Sequence, residues 1–330
     1  MSGRATGSEM RARSFSAAGQ DLRLFLIAGE HSGDALGGKL MAALNERRRG
    51  RIRYVGVGGE AMAAHGLVSQ FAIDELAVMG PGAIARRLPR LLRRLRNTAA
   101  AAIVAEPDAL VIIDSPEFTH RVARRVRRRR PEIPIIDYVA PSVWAWRPGR
   151  AGRMHGYIDH VLALLPFEPD AYRRLGGPPC SYVGHPLLER QAWIAALDAA
   201  PLARRLGLRA DVPVVLLLPG SRTSEVARLM PPFSAALRPM ITAPSVVLAN
   251  LVLGERAFPE LLQEDCTPDN LARALGALLE EGPQRAGQLA ALAQIPARLQ
   301  LPGGTPSGAA SEIVLHYAEH GRGWPRPELS

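Results

Sequence analysis

The stretch "LRLFLIAGEHSGDALGGKLMAAL", residues 22–44, decides the fold. An apolar run ends at Gly29, a short turn carries Glu30, His31, Ser32 and Asp34, and a helix-compatible segment follows. Strand, glycine-bearing turn and helix read together as the opening unit of a nucleotide-binding α/β domain. Yet the glycines at 29, 33, 37 and 38 do not form G-x-G-x-x-G, and no Walker lysine follows. Acidic and hydroxyl groups stand where a phosphate cradle belongs, so the turn raises the question of what it serves.

Outward from this stretch the pattern repeats. Strand-like runs recur at 24–29, 52–59, 109–115, 133–140 and 161–167, separated by helical stretches at 34–48, 82–105 and 117–130. Short apolar strands spaced by amphipathic helices predict parallel βαβ units and an α/β, open doubly wound sheet. After a helical connector at 187–207, "VPVVLLLPG" (212–220) starts a new unit. Beyond residue 240 only "PSVVLANLVLG" (244–254) looks β-like, before helices at 268–282, 284–299 and 306–320. A full second α/β domain needs more buried strands than that. The expected organisation is a flexible tail over 1–20, a first domain over 21–185 and an incomplete second domain over 186–330.

Length and composition agree with two globular domains: 330 residues, 47% of them hydrophobic. The net charge of +10 is almost wholly arginine, since Lys39 is the only lysine, and this favours anionic ligands or an anionic surface. Aromatic content of 5% and the lack of any nucleic-acid motif point away from nucleic acid. Cys180 and Cys266 form no C-x-x-C pair, which argues against a disulfide framework or a zinc site. No secretion signal and no membrane-spanning apolar run is read from the sequence.

Ligands of open α/β sheets gather at the carboxyl ends of the strands. Those ends carry Glu30, His31, Ser32 and Asp34; Asp114, Ser115 and Glu117; Trp144, Trp146, Arg147 and Arg150; and "LPGSRTSEV" from 218. The four loops are expected to meet at one crevice. Asp114 follows a buried strand directly, so it suits a general base for a hydroxyl nucleophile, or alternatively a cap for the next helix. Gly220, Ser221 and Arg222 offer a helix start with a guanidinium beside it, a seat for a diphosphate or simply a capped helix. Trp144 and Trp146 serve a ligand wall or core packing, and His185 reads as a hinge residue rather than a catalyst. Two segments are basic. In 79–96, Ile84, Leu88, Leu91, Leu92 and Leu95 keep helical spacing among arginines that include Arg93, which fits a membrane interface or a surface helix, with Pro89 kinking it or starting a new one. The run "RVARRVRRRR" (121–130) reads as a solvated helix face.

Taken together, "LIAGEHSGDALGGKL", "GVGGEAMAAHG", "DELAVMG", "IIDSPEF", "YVAPSVWAWRPGR", "LALLPFE", "YVGHPL", "LLPGSRTSEV" and "SVVLANLVLGERAFPELLQEDCTP" resemble the lipid-A-disaccharide synthase family. The resemblance implies a GT-B-like architecture, two Rossmann-like domains facing a cleft, with no cofactor and no metal. It implies inverting transfer from UDP-2,3-diacylglucosamine to 2,3-diacylglucosamine 1-phosphate (lipid X), giving a β-1′,6 disaccharide and UDP. Asp114 then matches the general base, Arg222 the arginine facing the departing UDP, and Glu30 a polar residue of the catalytic cleft. Ser32, Gly220, Ser221, Asn250 and Gln263 fall to substrate or UDP binding. Ile84, Leu88, Leu91, Leu92 and Arg93 become the patch where acyl chains enter from the cytoplasmic face of the inner membrane. A homodimer is a further expected partnership. The family carries a long stretch between residues equivalent to 240 and 241 that is absent here, so the alternative is a remnant that binds lipid without transfer. A related UDP-sugar epimerase shares the architecture but would need a dense set of acid–base residues in the cleft, and "VWAWRPGR" with the basic amphipathic patch fits a lipid substrate better.

Overall fold

The computed structural model describes residues 21–76, 81–209, 247–261, 265, 267–279 and 281–322, with backbone only for 81–87 and 268. The chain divides into two compact units, one of Met1–Tyr138, Tyr157–His160 and Ser307–Ser330, the other of Val139–Gly156 and Val161–Pro306. The fold class is α/β and Rossmann-like, and every described strand pairing is parallel.

The first unit alternates β1 (Leu22–Ala28), α1 (His31–Arg48), β2 (Ile52–Val57), α2 (Glu60–Ala63), β3 (Val68–Ser69), α3 (Pro81–Ala105), β4 (Ala109–Ile113), α4 (Pro116–Arg129) and β5 (Ile135–Tyr138). Its strand order is β3-β2-β1-β4-β5. The register runs Leu24 opposite Ala109 to Ala28 opposite Ile113. All five residues of β4 are buried, as are six of the seven in β1, because helices cover both faces of a parallel sheet. The chain reverses direction in sheet order after β3, so β1 and β4 end side by side, the place where such folds hold ligands.

The glycines of the opening stretch serve packing. A Cβ on Gly37 would lie 2.6 Å from Met62 Sδ, and one on Gly38 2.9 Å from the Ala61 carbonyl oxygen. Bare backbone on α1 thus lets α2 lie against it. The acid in the same stretch completes the contact. Asp34, buried in α1, accepts N–H bonds from Gly59 (2.7 Å), Ala61 (2.9 Å) and Met62 (3.1 Å). These are donors that the start of α2 cannot satisfy within itself. On the other end of α1, Arg47 and Arg48 pair with Glu312 (3.6 Å) and Glu319 (3.1 Å) of the helix Pro306–His320.

α3 continues through Pro89, which neither ends it nor starts a new helix. α4 opens with Pro116 at its first turn, where the missing N–H costs nothing. The arginine run at its end is not simply a solvated face. Arg127 is buried, donates to the Pro131 and Ile133 carbonyls (2.6 and 3.0 Å) and pairs with Asp159. Burial pulls its guanidinium below the ordinary value, opposed by Asp159. His120, one turn-pair earlier, lies between Tyr157 OH (3.0 Å from Nδ1) and Asp137 Oδ2 (3.0 Å from Nε2). The Asp137 approach is at ion-pair distance but off the hydrogen-bonding direction.

In the second unit Val161–Ala163 of β6 (His160–Ala163) pair with β7 (Cys180–Tyr182), and α5 (Gly149–Met154) and α6 (Glu168–Arg174) belong to the same unit. The helical connector expected over 187–207 consists of a 3-10 turn, Pro186–Arg190, then α7 (Gln191–Ala195) and α8 (Ala200–Leu206), none with a buried residue. Helices follow at Leu248–Leu253, Pro268–Leu279 and Pro283–Arg298. The expectation of a strand over 244–254 is corrected, because Leu248–Leu253 is a helix closed by Gly254 at φ 77°. A short apolar run satisfies either period, and here the turn residues decide. The run 212–220 lies outside the described residues.

Replacing Asp34 by Ala leaves three N–H groups, that of Met62 buried and those of Gly59 and Ala61 half-buried, without their acceptor, so chemical denaturation is expected to show a loss of about 3 kcal/mol. Asp34→Asn, which keeps one acceptor oxygen, should recover part of it.

Candidate functional site

The ends of β1 and β4 build the centre of the site. A Cβ on Gly29 would fall 2.2 Å from Ser115 Cβ, so the β1 turn passes the β4 turn with no room for any side chain. On the β4 side Asp114 and Ser115 both adopt left-handed backbone, φ 56° and 46°. Neither is a glycine, and such a conformation costs of order 1–3 kcal/mol per residue unless the surroundings hold it. They do. The Asp114 N–H donates to the Tyr138 carbonyl (3.1 Å), and the Thr119 hydroxyl, bonding back from α4, donates to the Asp114 carbonyl (2.8 Å). The Asp114 Oδ1 accepts from the Ser115 N–H (2.7 Å) and Oδ2 from the Ser32 hydroxyl (3.2 Å).

Asp114 is half-buried and Ser32 exposed, so one oxygen of the carboxylate faces a partner that a substrate hydroxyl can displace. Glu30 stands beside them in extended backbone before α1 (φ −145°). The structure therefore brings Glu30, Ser32 and Asp114 to one sheet edge. His31 points elsewhere, to Asp74 at 2.9 Å on the exposed surface.

The residue after Asp74 holds α3. Glu75 accepts from Arg90 Nε (2.9 Å) and from Arg94 Nε and Nη2 (2.9 and 2.8 Å). The Arg94 bond, with Arg90 beside it, holds the Glu75 carboxyl below its ordinary range. Arg94 also lies 4.7 Å over the Phe71 ring. Of the anticipated apolar patch, Leu88 is 44% exposed, Leu91 and Leu92 are half-buried, Arg93 is exposed and Ile84 lies in the first turns of α3.

The remaining expected residues belong to the second unit. Asn250 is buried, and its side chain donates to the Phe258 carbonyl (2.8 Å) and Glu260 (2.7 Å) while accepting from the Phe258 N–H (2.8 Å). It fastens the turn after its helix. Gly220, Ser221, Arg222 and Gln263 lie outside the described residues. Trp146 is 41% exposed beneath Arg147, whose guanidinium sits 4.3 Å over its ring. His185 caps the 3-10 turn, accepting from the Leu187 N–H at 3.3 Å.

Sequence reasoning passed over Glu168. It is buried, and its carboxylate accepts from Trp144 Nε1 (3.2 Å) and from the Leu164 and Leu165 N–H groups (3.1 and 3.0 Å). Trp144 packs edge-on against Phe167 at 5.1 Å and is a packing residue. Tyr172 of α6 donates to the Pro141 carbonyl (2.9 Å) of the same tryptophan-bearing loop. The signal was the glutamate after "LALLPF", opposite in the fold to a loop rich in tryptophan, and nothing in local spacing connects them.

Burial pushes the Glu168 carboxyl up to about 7, against the three donors that favour its charged form. The folded chain then binds a proton that the unfolded chain releases near its ordinary value of 4.5, so stability falls as pH rises from about 4.5 to about 7. The span corresponds to roughly 3 kcal/mol at most. In Glu168→Gln that slope is expected to disappear, checked by thermal melting across this pH window.

A sequence model described as lipid-A-disaccharide synthetase matches residues 24–240. The lipid-A-disaccharide synthase of Nitrobacter hamburgensis is 44% identical over 93% of this chain and 98% of its own. That of Rhodospirillum centenum is 37% identical over 89% and 94%, and that of Ruegeria pomeroyi 50% identical over 67% and 54%. The Nitrobacter alignment runs to 393 positions, more than the 330 residues present, so the relative has residues with no counterpart here. With its family model covering most of the chain and relatives of this closeness, the chain belongs to the lipid-A-disaccharide synthetase family and is a glycosyltransferase of bacterial lipid A biosynthesis.

Proposed function

We propose that the chain transfers 2,3-diacylglucosamine from UDP-2,3-diacylglucosamine to the 6-hydroxyl of 2,3-diacylglucosamine 1-phosphate, with inversion. The observation that carries this is the Asp114 carboxylate, fixed at the exit of β4 by its own backbone yet open at Oδ2 beside Ser32. In this reading Oδ2 takes the proton of the acceptor hydroxyl as the oxygen attacks the anomeric carbon. The new C–O bond forms as the bond to the β-phosphate of UDP breaks, and UDP leaves with the electron pair. Ser32 positions the carboxylate and Glu30 the acceptor sugar. Arg222 neutralises charge on the departing diphosphate, with Gly220, Ser221, Asn250 and Gln263 on the donor side.

The proposed division of labour gives the acceptor and the membrane to residues 21–185 and the donor to residues 186–330. The amphipathic first half of α3, with Leu88 open to solvent, supports acyl-chain entry there. Among the described residues no helix is long and apolar enough to cross a membrane, which fits peripheral attachment at the inner face. A second reading, a remnant that binds lipid without transferring sugar, draws on the residues its relatives have and this chain lacks. Calorimetric titration with UDP beside a disaccharide-forming assay separates the two: lipid binding without UDP affinity or product sinks the transferase reading.

For Asp114→Asn, product formation is expected to fall by roughly 10²–10⁴-fold, the usual contribution of a positioned base. Its melting temperature should stay close to that of the parent chain, because the amide oxygen still accepts the Ser115 N–H.

A further inference from the structure

The surface shared by the second half of α3 and the end of α4 has a composition that the transfer reaction does not use. The two helices pack against each other. Together they carry twelve arginines and, in Glu117, a single carboxylate. Where they meet, a groove is lined by Arg96, Arg125, Arg128 and Arg129 around Ile103 and Val104. Among the described residues none of these four guanidiniums has a carboxylate partner. Arg125 and Arg128 donate only to the Arg121 and Arg124 carbonyls of the preceding turn (3.1 and 3.3 Å). Burial and the neighbouring Arg128, Arg96 and Arg121 pull the Arg125 guanidinium below its ordinary value, so the like charges crowd one another. A protein surface normally dilutes such crowding with acids. Val104, in the middle, is 80% exposed.

This groove is not the reacting centre. Asp114 precedes α4, whereas Arg125–Arg129 close it, roughly 18 Å away along the helix at 1.5 Å per residue. We propose that the α3–α4 groove is a docking surface for anionic phospholipid, its arginines seating headgroup phosphates of a bilayer while Ile103 and Val104 enter the interface. Charge complementarity selects an anionic partner, and planar guanidiniums make bidentate bonds to phosphate. The exposed aliphatic floor selects a lipid surface over nucleic acid, since no aromatic side chain lines the groove for bases to stack on. The proposal stands apart from the transfer reaction and holds for an active enzyme or an inactive one.

The test is cosedimentation of the full chain with phosphatidylcholine vesicles, with and without phosphatidylglycerol, at low and high salt. The parent chain should prefer the phosphatidylglycerol vesicles, and salt should weaken that preference. A variant with Arg96→Gln, Arg125→Gln, Arg128→Gln and Arg129→Gln should lose affinity for them on the order of a few hundredfold, at roughly fivefold per arginine. The corresponding four-lysine variant keeps the charge and should retain most of the binding. Equal binding of the parent to both vesicle types, or undiminished binding by the glutamine variant, overturns the proposal. So does loss in the lysine variant as large as in the glutamine variant. Single-stranded RNA and inorganic phosphate are the soluble probes: RNA binding that vanishes in the glutamine variant while vesicle binding persists would reassign the groove to nucleic acid, and phosphate binding alone to a free anion.

Discussion

The contact on which the rest of the site depends is the passage of the β1 turn across the β4 turn at Gly29 and Ser115. A single methyl group at residue 29 would overlap the Ser115 side chain, at 2.2 Å between Cβ positions. Because the two backbones lie this close, Ser32 on the first turn reaches the carboxylate on the second. At this crossing Asp114 and Ser115 take left-handed backbone, a conformation that neither would choose alone. Strain of this kind survives only where several independent bonds fix it. Here the Tyr138 carbonyl, the Thr119 hydroxyl and the carboxylate's own bond to Ser115 do so. A carboxylate held by its backbone on one side and by an exchangeable hydroxyl on the other is positioned without being consumed.

The turn that lacks a phosphate cradle thereby has a physical account. Its acids divide between structure and chemistry according to burial. Asp34 is spent wholly on three backbone N–H groups of α2, a role fixed by the absence of side chains on Gly37 and Gly38. Glu30 and the neighbouring Ser32 remain at the sheet edge, beside Asp114. In a dinucleotide-binding turn the free N–H groups of the first helix face the ligand. In this chain the first turn of α1 instead presents hydroxyl and carboxylate groups, which suit a sugar.

Much of this was legible in the sequence. The runs that became β1, β2, β4, β5 and β6 are short, apolar and evenly spaced by helices, and buried parallel strands leave just that trace. Asp114 was legible because a carboxylate directly after a buried strand has few places to go. What could not be read were pairings over long separations. Asp34 meets its partners 25 to 28 residues later, and Glu168 meets Trp144 across 24. The amide of Asn250 meets Phe258 and Glu260, eight and ten residues on, and no local pattern announces that turn. The run 244–254 carried no preference between strand and helix, and its expected strand became a helix from Leu248.

The arginine run of α4 shows how a uniform stretch of charge is sorted by helical geometry. His120, Ala123, Val126 and Arg127 recur at helical spacing and all face the sheet. Arg121, Arg125 and Arg128 occupy the opposite stripe, by the same period. The inner stripe is costly to bury, since Arg127 needs two carbonyls and Asp159 to replace its water, and that cost is met only in one rotational setting of the helix. Arg127 with His120 therefore fixes how α4 rolls on the sheet. That roll decides which arginines look outward beside α3 and holds Thr119 under Asp114. Arg94 on Glu75 and Arg127 on its carbonyls both use the planar, forked donor set that an ammonium cannot supply, and the outward stripe offers the same fork to phosphate.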